Sequence, residues 1–515
     1  MSTPTPAREG TPHGPAEKTV DRRTIHAVFA GLLVTMFLSS LDQTVFGTAL
    51  PTIVGELGGV SRMLWVTTAY ILAATVTMPV YGKLGDLIGR RNLFLGALVL
   101  FLAGSVIGGL SQDMRWLIVG RGVQGLGGGG LMILSQAIIA DIVPARQRGR
   151  YMGVIGGVFA LSSVLGPILG GWFTQGIGWR WAFWINIPLG LLALLTAAVF
   201  LRPPQHAVRR PRIDVAGITT MSVAVTSIVL FSSLLGDHAW NSPALLSLAA
   251  VAVAAATVFI LVERRAAEPV IPPHLFADRN FNLATLAGLC TALAMFGAVA
   301  YLPTYLQMVS GLSATRAGFL MLSMIGGVMV TSVVTGGLAS RTGRYKWMPI
   351  ASSLVVTGGL VLLSTMTVDT PLAAVCCYMA IVGAGIGLGM QILVLIVQNS
   401  FPNSEVGTAT AANNFFREIG ASLGSAAVGA LFTHRLTTLL GERASVAPGG
   451  GHGGIDQDSL TPSAVNAMPE PVRDAIITAY NEALTPVFLY ITPLLLVSTV
   501  ILFFVKEKPL ATTVR

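Results

Sequence analysis

The chain has little charge. Of its 515 residues, 11% are charged and 53% are hydrophobic, whereas soluble globular chains carry roughly 25% charged residues. The apolar residues occur in runs of about 20, the length that a helix needs to cross about 30 Å of hydrocarbon. This deficit excludes an ordinary soluble multidomain protein and indicates an all-α polytopic membrane protein.

Cysteine and histidine are scarce as well. The three cysteines, Cys290, Cys376 and Cys377, lie inside apolar runs, and the seven histidines show no ligand spacing. A disulfide framework or a Cys/His zinc site is therefore not expected. The chain also lacks a Gly-Lys-Ser/Thr phosphate loop, so ATP does not drive it. We expect no metal, no cofactor, no catalytic residues and no enzymatic activity.

The apolar runs define fourteen candidate spans. They lie near 25–50, 64–82, 93–111, 115–140, 151–173, 182–201, 213–235, 243–262, 281–307, 317–339, 348–367, 372–397, 406–432 and 484–505. An even number of spans puts both termini on one side, which then holds 23 of the 32 Lys and Arg residues. Because cytoplasmic loops carry the excess of positive charge, we expect cytoplasmic termini in a plasma membrane. An excess of Arg over Lys fits a GC-rich bacterial genome, in which case the membrane would be a bacterial inner membrane.

An internal repeat organises these spans. The segment GKLGDLIGRR (82–91) after the second span aligns with GGLASRTGRY (336–345) after the tenth, as in transporters built from repeated halves. The offset predicts two six-helix halves separated by two inserted helices. The predicted parts are a cytoplasmic tail 1–24, an N-terminal half 25–201, inserted helices with cytoplasmic linkers 202–280, a C-terminal half 281–505 and a cytoplasmic tail 506–515. An outer loop 433–483 would contain a short amphipathic helix, 464–482, on the outer face.

Asp42 and Arg121 are ionisable residues within apolar spans, where a charge costs about 2.5–3.5 kcal/mol and usually marks function. Asp42 would lie near the outer end of the first span and exchange a proton, unless it is a carboxylate in the headgroup layer. Arg121 has Gln124 on the same helix face, and either faces an interior cavity or only pins helices together.

Arg417 and Glu418 form a second ionisable pair, in the thirteenth span. Neighbouring residues point about 100° apart on a helix, so a direct ion pair between them is not expected. They line the far half of the cavity, or they snorkel near the cytoplasmic end. Glu418 is a candidate for proton coupling.

Two segments are candidates for a conformational switch. A carboxylate and two guanidiniums in the tight loop after the second span could latch helix ends together, although a plain basic loop would need no such role. In the fifth span a Gly-Pro pair predicts a helix break. The predicted switch residues are Gly82, Asp86, Gly89, Arg90, Arg91, Gly166 and Pro167.

Aromatic, Met and amide side chains are spread through the spans. In any one helix they are consistent with ordinary packing, but together they suit an adaptable pocket for bulky apolar ligands. The predicted pocket residues are Phe46, Gln124, Phe159, Tyr301, Tyr305, Met324, Gln391, Asn413, Asn414, Phe416 and Arg417.

Five motifs together resemble the major facilitator superfamily, in its fourteen-helix drug:proton antiporter branch. They are LDQTVFGTALP (41–51), GKLGDLIGRR (82–91), RGVQG (121–125), GVIGGVFALSSVLGPILGG (153–171) and NFFREIGASLG (414–424). The resemblance implies that Asp42 is the proton site, that Arg121 couples protonation to substrate binding, and that Gly166-Pro167 sets a helix bend. Glu418 departs from the family's usual Gln and could add a second protonatable carboxyl.

We therefore expect an exporter that exchanges protons for hydrophobic, cationic or amphipathic compounds by alternating access. Its partners would be a small-molecule substrate, protons and the lipid bilayer, without nucleic acid or an obligate protein partner. Two alternatives stay open. One is a dedicated exporter of one natural product, such as an antibiotic, or of a lipid, and the other is a non-transporting receptor or scaffold.

Overall fold

The computed structural model describes residues 22–59, 62–201, 212–235, 241–446, 465 and 468–512, and within these ranges the chain is helical without strands. The helices are α1 Arg22–Leu57, α2 Met63–Ile88, α3 Arg90–Gly109, α4 Met114–Ile142, α5 Ala145–Gln175, α6 Trp181–Trp184, α7 Asn186–Phe200, α8 Val215–Leu234, α9 Pro243–Glu263, α10 Arg279–Val299, α11 Leu302–Met308, α12 Ala314–Thr342, α13 Trp347–Ser364, α14 Leu372–Gln398, α15 Val406–Val446 and α16 Glu470–Phe503. A 3₁₀ turn, Pro273–Ala277, precedes α10.

Thirteen stretches among the described residues are long and apolar enough to cross a membrane. The more polar α15, which contains the predicted span 406–432, is not among them. It nevertheless runs alongside α10, because Gly420 packs on Leu289 and Gly424 on Leu293. Helix α15 therefore traverses the same thickness as α10, and the all-α polytopic architecture is confirmed.

The helices pack as two groups with separate cores. Helices α1–α7 form the N-terminal group, around aromatic residues such as Phe94, Phe101 and Phe183. Helices α10–α16 form the C-terminal group, around residues such as Tyr305 and Phe488. Helix α1 begins beside the start of α5, where Phe29 packs on Tyr151, and the segment after α16 reaches the same place, where the Arg146 N–H donates to the Ala511 carbonyl. The face that holds these ends is called the terminal face. The opposite face is the distal face.

Helices α8 and α9 pack where the two groups meet. Met221 and Val225 of α8 share an apolar cluster with Val76 of α2 and Phe416 of α15. Only 11% of the apolar window of α9 is buried, which suits a helix facing lipid. Past α9, Glu268 forms a 2.7 Å ion pair with Lys83 of α2. The inserted pair thus contacts both groups.

The predicted loop 433–483 differs from the structure at both ends. Helix α15 continues to Val446, and α16 begins at Glu470 and runs unbroken into the last span. Ile476 and Tyr480, expected on an amphipathic helix lying on the surface, are instead buried in the C-terminal core, where Tyr480 packs against Phe432. The separate outer helix is therefore wrong. The Gly-rich part of the loop lies outside the described residues.

The C-terminal segment makes contacts that the sequence analysis did not address, and the predicted helix break needs correction. The described part of the predicted tail 506–515 packs on the C-terminal group, where the Glu507 carboxylate accepts hydrogen bonds from the backbone N–H groups of Tyr345 and Lys346. The break at Gly166-Pro167 is absent, because α5 runs continuously through both residues. A Cβ at Gly166 would overlap the Thr44 side chain, so this glycine permits close packing of α5 on α1.

Candidate functional site in the N-terminal helix group

A buried ion pair joins α1 to α4. Nη1 of Arg121 donates to Oδ2 of Asp42, and each residue is only 1% exposed. Because α1 extends to Leu57, Asp42 lies well inside the helix among buried side chains. The expected position near the outer end of the span is therefore wrong. Burial removes the carboxylate and the guanidinium from water, and the attraction between the two opposite charges offsets part of that cost.

Two amides, one on α4 and one on α7, complete the shell around Asp42. Its Oδ1 accepts hydrogen bonds from Gln124 Nε2 at 2.7 Å and from Asn186 Nδ2 at 3.2 Å. Both amides also donate to Ser105 Oγ, at 2.9 and 3.2 Å. Helices α1, α3, α4 and α7 therefore meet at one carboxylate, and any change in its charge acts on all four.

Aromatic rings enclose Arg121. Its guanidinium carbon lies 4.2 Å from the ring centre of Phe46 and 4.4 Å from that of Tyr70, within the range of cation–π attraction. Its Nε donates to the Val66 carbonyl at 3.3 Å, and Nη1 donates to Gln124 Oε1 at 2.8 Å. Phe46 and Gln124, predicted to line a substrate pocket, contact this arginine.

Glycines of α4 make this close arrangement possible. A Cβ at Gly120 would lie 2.8 Å from the Gly108 nitrogen of α3, and one at Gly129 would lie 2.6 Å from Thr77 Oγ1 of α2. Gly120 and the run GLGGGG (125–130), which contains Gly129, therefore form a helix-packing surface on α4. Small residues serve this purpose in membrane helix bundles.

A second polar cluster ties the two helix groups together at the terminal face. Asp86, near the end of α2, accepts from the Thr408 backbone N–H and hydroxyl at 2.7 Å each, and from the Gly407 N–H at 3.2 Å. The carboxylate thus caps the first turn of α15 across the interface. A helix N-terminus carries partial positive charge and free N–H groups, so an acidic cap stabilises it.

Arg90 links this cap to further elements. It donates to Asp86 at 2.6 Å and to the Asn403 carbonyl at 2.8 Å, and forms a 2.5 Å ion pair with Asp141. Arg148 donates to the Asn403 side chain at 3.1 Å. Arg91 instead donates to the Ala198 carbonyl at the end of α7.

Glycines also line the contact between the groups. A Cβ at Gly82 of α2 would overlap Ala411 of α15, and one at Gly153 of α5 would overlap the Ser332 carbonyl of α12. Gly89 lies between α2 and α3 with φ of +95°, in the left-handed region that glycine adopts at little cost.

Arg417 lies in the C-terminal group and is 7% exposed. Its Nη2 is 3.8 Å from Glu418 Oε1, so the two neighbours do form an ion pair, contrary to expectation. The long side chains bridge the angle between their Cα–Cβ bonds. Nε and Nη1 of Arg417 are buried without a hydrogen-bond partner.

The other predicted pocket residues do not form one cluster. Tyr305 donates to Asn481 Oδ1 at 2.8 Å inside the C-terminal group, and Asn414 donates to Gln136 Oε1 at 3.1 Å between the groups. The remaining residues lie along different helices. Phe159 is on α5, Tyr301 precedes α11, Met324 is on α12, Gln391 is on α14, and Asn413 and Phe416 are on α15.

Sequence reasoning missed several members of these clusters. Asn186 and Ser105 were available as isolated polar residues inside apolar runs, and Asp141 and Arg148 as charges flanking the fourth and fifth spans. Asn403 and Thr408 carried no such signal, because their contacts depend on how the two groups meet. Among the described residues, no group of His, Cys, Asp or Glu could hold a metal ion.

The described helices are long enough to cross a bilayer, and they form two groups, one of which buries an ion pair; these are features of a polytopic membrane protein with a functional charge inside it. The family model described as "Major Facilitator Superfamily" matches residues 32–425. The chain belongs to this superfamily, whose members are transporters and not enzymes.

Relatives and solved structures agree with this assignment. The chain is 40% identical over 423 residues to the multidrug transporter protein MdtP of Bacillus subtilis, covering 82% of this chain and 77% of that protein. It is 33% identical over 499 residues to multidrug resistance protein 3 of Bacillus subtilis, covering 95% and 97%. The proton:xylose symporter XylE has a similar fold, with a TM-score of 0.58, 13% identity, and coverage of 95% of this chain and 98% of that one.

Proposed function

We propose that the protein is a proton-coupled antiporter that exports hydrophobic, cationic or amphipathic compounds by alternating access. The superfamily assignment supports transport, and relatives named as multidrug proteins support export of drug-like substrates. The proton gradient would supply the energy, without a cofactor.

The buried Asp42–Arg121 pair carries this proposal. A guanidinium stays protonated in proteins, so a proton entering the site binds to Asp42. Protonation removes the negative charge and leaves Arg121 buried without its counter-ion, which is strongly unfavourable. The protonated site therefore favours a different arrangement of α1 and α4. This dependence of conformation on charge is what coupling to a proton gradient requires.

The contacts at the terminal face support alternating access. Asp86 capping α15, and the glycine contacts of α2 and α5, hold the groups together on that side. We propose that this face is cytoplasmic and that the arrangement is the outward-facing state. Separation there would break the cap and expose the first-turn N–H groups of α15 to water, a modest cost that binding of a substrate or proton could offset.

Glu418 would provide a second protonatable carboxyl. Its side chain is 29% exposed, whereas that of Asp42 is fully buried. The predicted pocket residues on α5, α12, α14 and α15 would contact substrate as the two groups rearrange.

The test is transport by proteoliposomes with an imposed pH gradient. Wild-type protein should move lipophilic cations against proton flow, and Asp42→Asn should lose coupled transport while inserting normally. Asp369→Asn makes the same carboxylate-to-amide change in an exposed loop on the distal face, so it should retain transport.

Unchanged proton-coupled transport in Asp42→Asn would contradict the assignment of Asp42. Competition among chemically unrelated dyes tests the substrate range. Mutual competition supports a multidrug exporter, whereas transport of a single compound class favours the dedicated exporter.

A further inference from the structure

We propose that Arg417 and the cavity beside it form a binding site for one small monovalent anion, either a free halide or the carboxylate group of a larger molecule. The proposal stands apart from proton coupling at Asp42, because it rests on residues of the C-terminal group alone.

The first observation is an unsatisfied buried cation. Arg417 is 7% exposed, and its Nε and Nη1 atoms are buried without hydrogen-bond partners. A buried polar group without a partner is unfavourable, and more so when it is charged. Arg121, by contrast, donates from both Nε and Nη1.

The second observation is a cavity against this side chain. Arg417 and Asn413 of α15 line it together with Thr291 of α10 and with Ser352 and Ser353 of α13. Its volume is about 20 Å³, enough for one or two water-sized groups. A halide ion or a single carboxylate group fits this space, whereas a whole drug-sized molecule does not.

The chemistry of Arg417 selects the occupant. A guanidinium carries five N–H donors and no acceptor, so the ligand must accept hydrogen bonds. A negative charge makes these bonds charge-assisted and compensates the buried cation. The carboxylate of Glu418, 3.8 Å from Nη2, is too far away to accept a hydrogen bond.

Bromide is the probe for the experiment. The purified full-length protein is titrated from sodium isethionate, which carries no carboxylate, into sodium bromide at constant ionic strength, and the unfolding temperature is followed. Wild-type protein should be stabilised in a saturable manner. Arg417→Gln should lose this response, and Arg417→Lys, which keeps the charge but not the fork geometry, should bind bromide about tenfold more weakly.

Arg473→Gln is the matched control, because the side chain of Arg473 is 32% exposed at the distal end of α16. It should respond like the wild type. Crystals of wild-type protein in bromide should show an anomalous peak in contact with the Arg417 guanidinium, a result that does not depend on the folding of any variant.

Two related dyes distinguish the sources of the anion. Rhodamine 110 carries a carboxylate, and rhodamine 123 is its methyl ester. If bromide weakens binding of rhodamine 110 but not of rhodamine 123, the site receives the carboxylate of a larger ligand. If bromide binds without affecting either dye, the site serves free anions. An equal bromide response in wild type and Arg417→Gln, or bromide peaks only elsewhere, would overturn the proposal.

Discussion

Two buried arginines, Arg121 in the N-terminal group and Arg417 in the C-terminal group, differ in how their charge is compensated. Arg121 has a counter-ion, an amide, a backbone carbonyl and two aromatic faces around it. Arg417 has a carboxylate at 3.8 Å and two unpaired nitrogens. A fully compensated charge stabilises one arrangement of the helices. An under-compensated charge destabilises that arrangement until a ligand binds.

The comparison predicts different stability effects for the same substitution. Arg121→Met leaves Asp42 buried without its counter-ion and should destabilise the protein by about 3–5 kcal/mol. Arg417→Met removes unpaired donors and gives up only the 3.8 Å pair with Glu418, whose side chain is 29% exposed, so it should leave stability unchanged or raise it by about 1–3 kcal/mol. Thermal unfolding in detergent, with isethionate as the anion, measures both.

The double variant Asp42→Asn/Arg121→Met is the control for the first effect. It removes both charges and should recover part of the stability lost in Arg121→Met, since no unpaired charge remains. Equal destabilisation by Arg121→Met and Arg417→Met would show that the two arginines are compensated equally well, and would remove the basis of the comparison.

The fold could be predicted from the sequence because a run of about 20 apolar residues has the length and the polarity that a membrane-spanning helix requires. It also identified Asp42 and Arg121 as exceptional, since a charge inside such a run is costly. Their direct contact was not predictable. It depends on the rotations of α1 and α4 about their axes and on the glycines that let α4 approach its neighbours.

Contacts between the helix groups were harder to predict still. Asp86 was singled out from its loop, but its role as the cap of α15 requires Thr408, which is more than 300 residues away in the chain. Helical spacing misled the prediction near residue 480. Ile476 and Tyr480 do share the apolar face of a helix, but that face packs into the C-terminal group and does not lie on the membrane surface.

Gly82 tests the contact between the groups that contain the two arginines. A Cβ there would overlap Ala411 and lie 2.8 Å from the Gly407 carbonyl oxygen. Overpacking of this kind costs about 1–3 kcal/mol, and Gly82→Ala should shift the protein toward separation at the terminal face by roughly tenfold. Pulsed electron spin resonance between labels at Asn92 and Arg344, both exposed, measures the distance distribution.

Gly96→Ala is the control for this prediction, because nothing lies within 4 Å of a Cβ at that position. Identical distance distributions in the wild type and in both variants would mean that α2 and α15 can adjust without the groups moving apart.

Lys83 provides a baseline for the two buried arginines, because its ion pair with Glu268 is reached by water. The two side chains are 17% and 30% exposed, and a partly exposed pair contributes about 0–1 kcal/mol. Glu268→Gln should therefore cost less than about 1 kcal/mol, with the loss shrinking further at high salt. A double-mutant cycle with Lys83→Met isolates the pair.

A coupling energy well above that range would mean that charge holds the linker after α9 to α2. Exposure to water would then not be sufficient to make the Lys83 ion pair weaker than that of Arg121. A small coupling would leave apolar packing by residues such as Met221 and Val225 as the main attachment of the inserted helices.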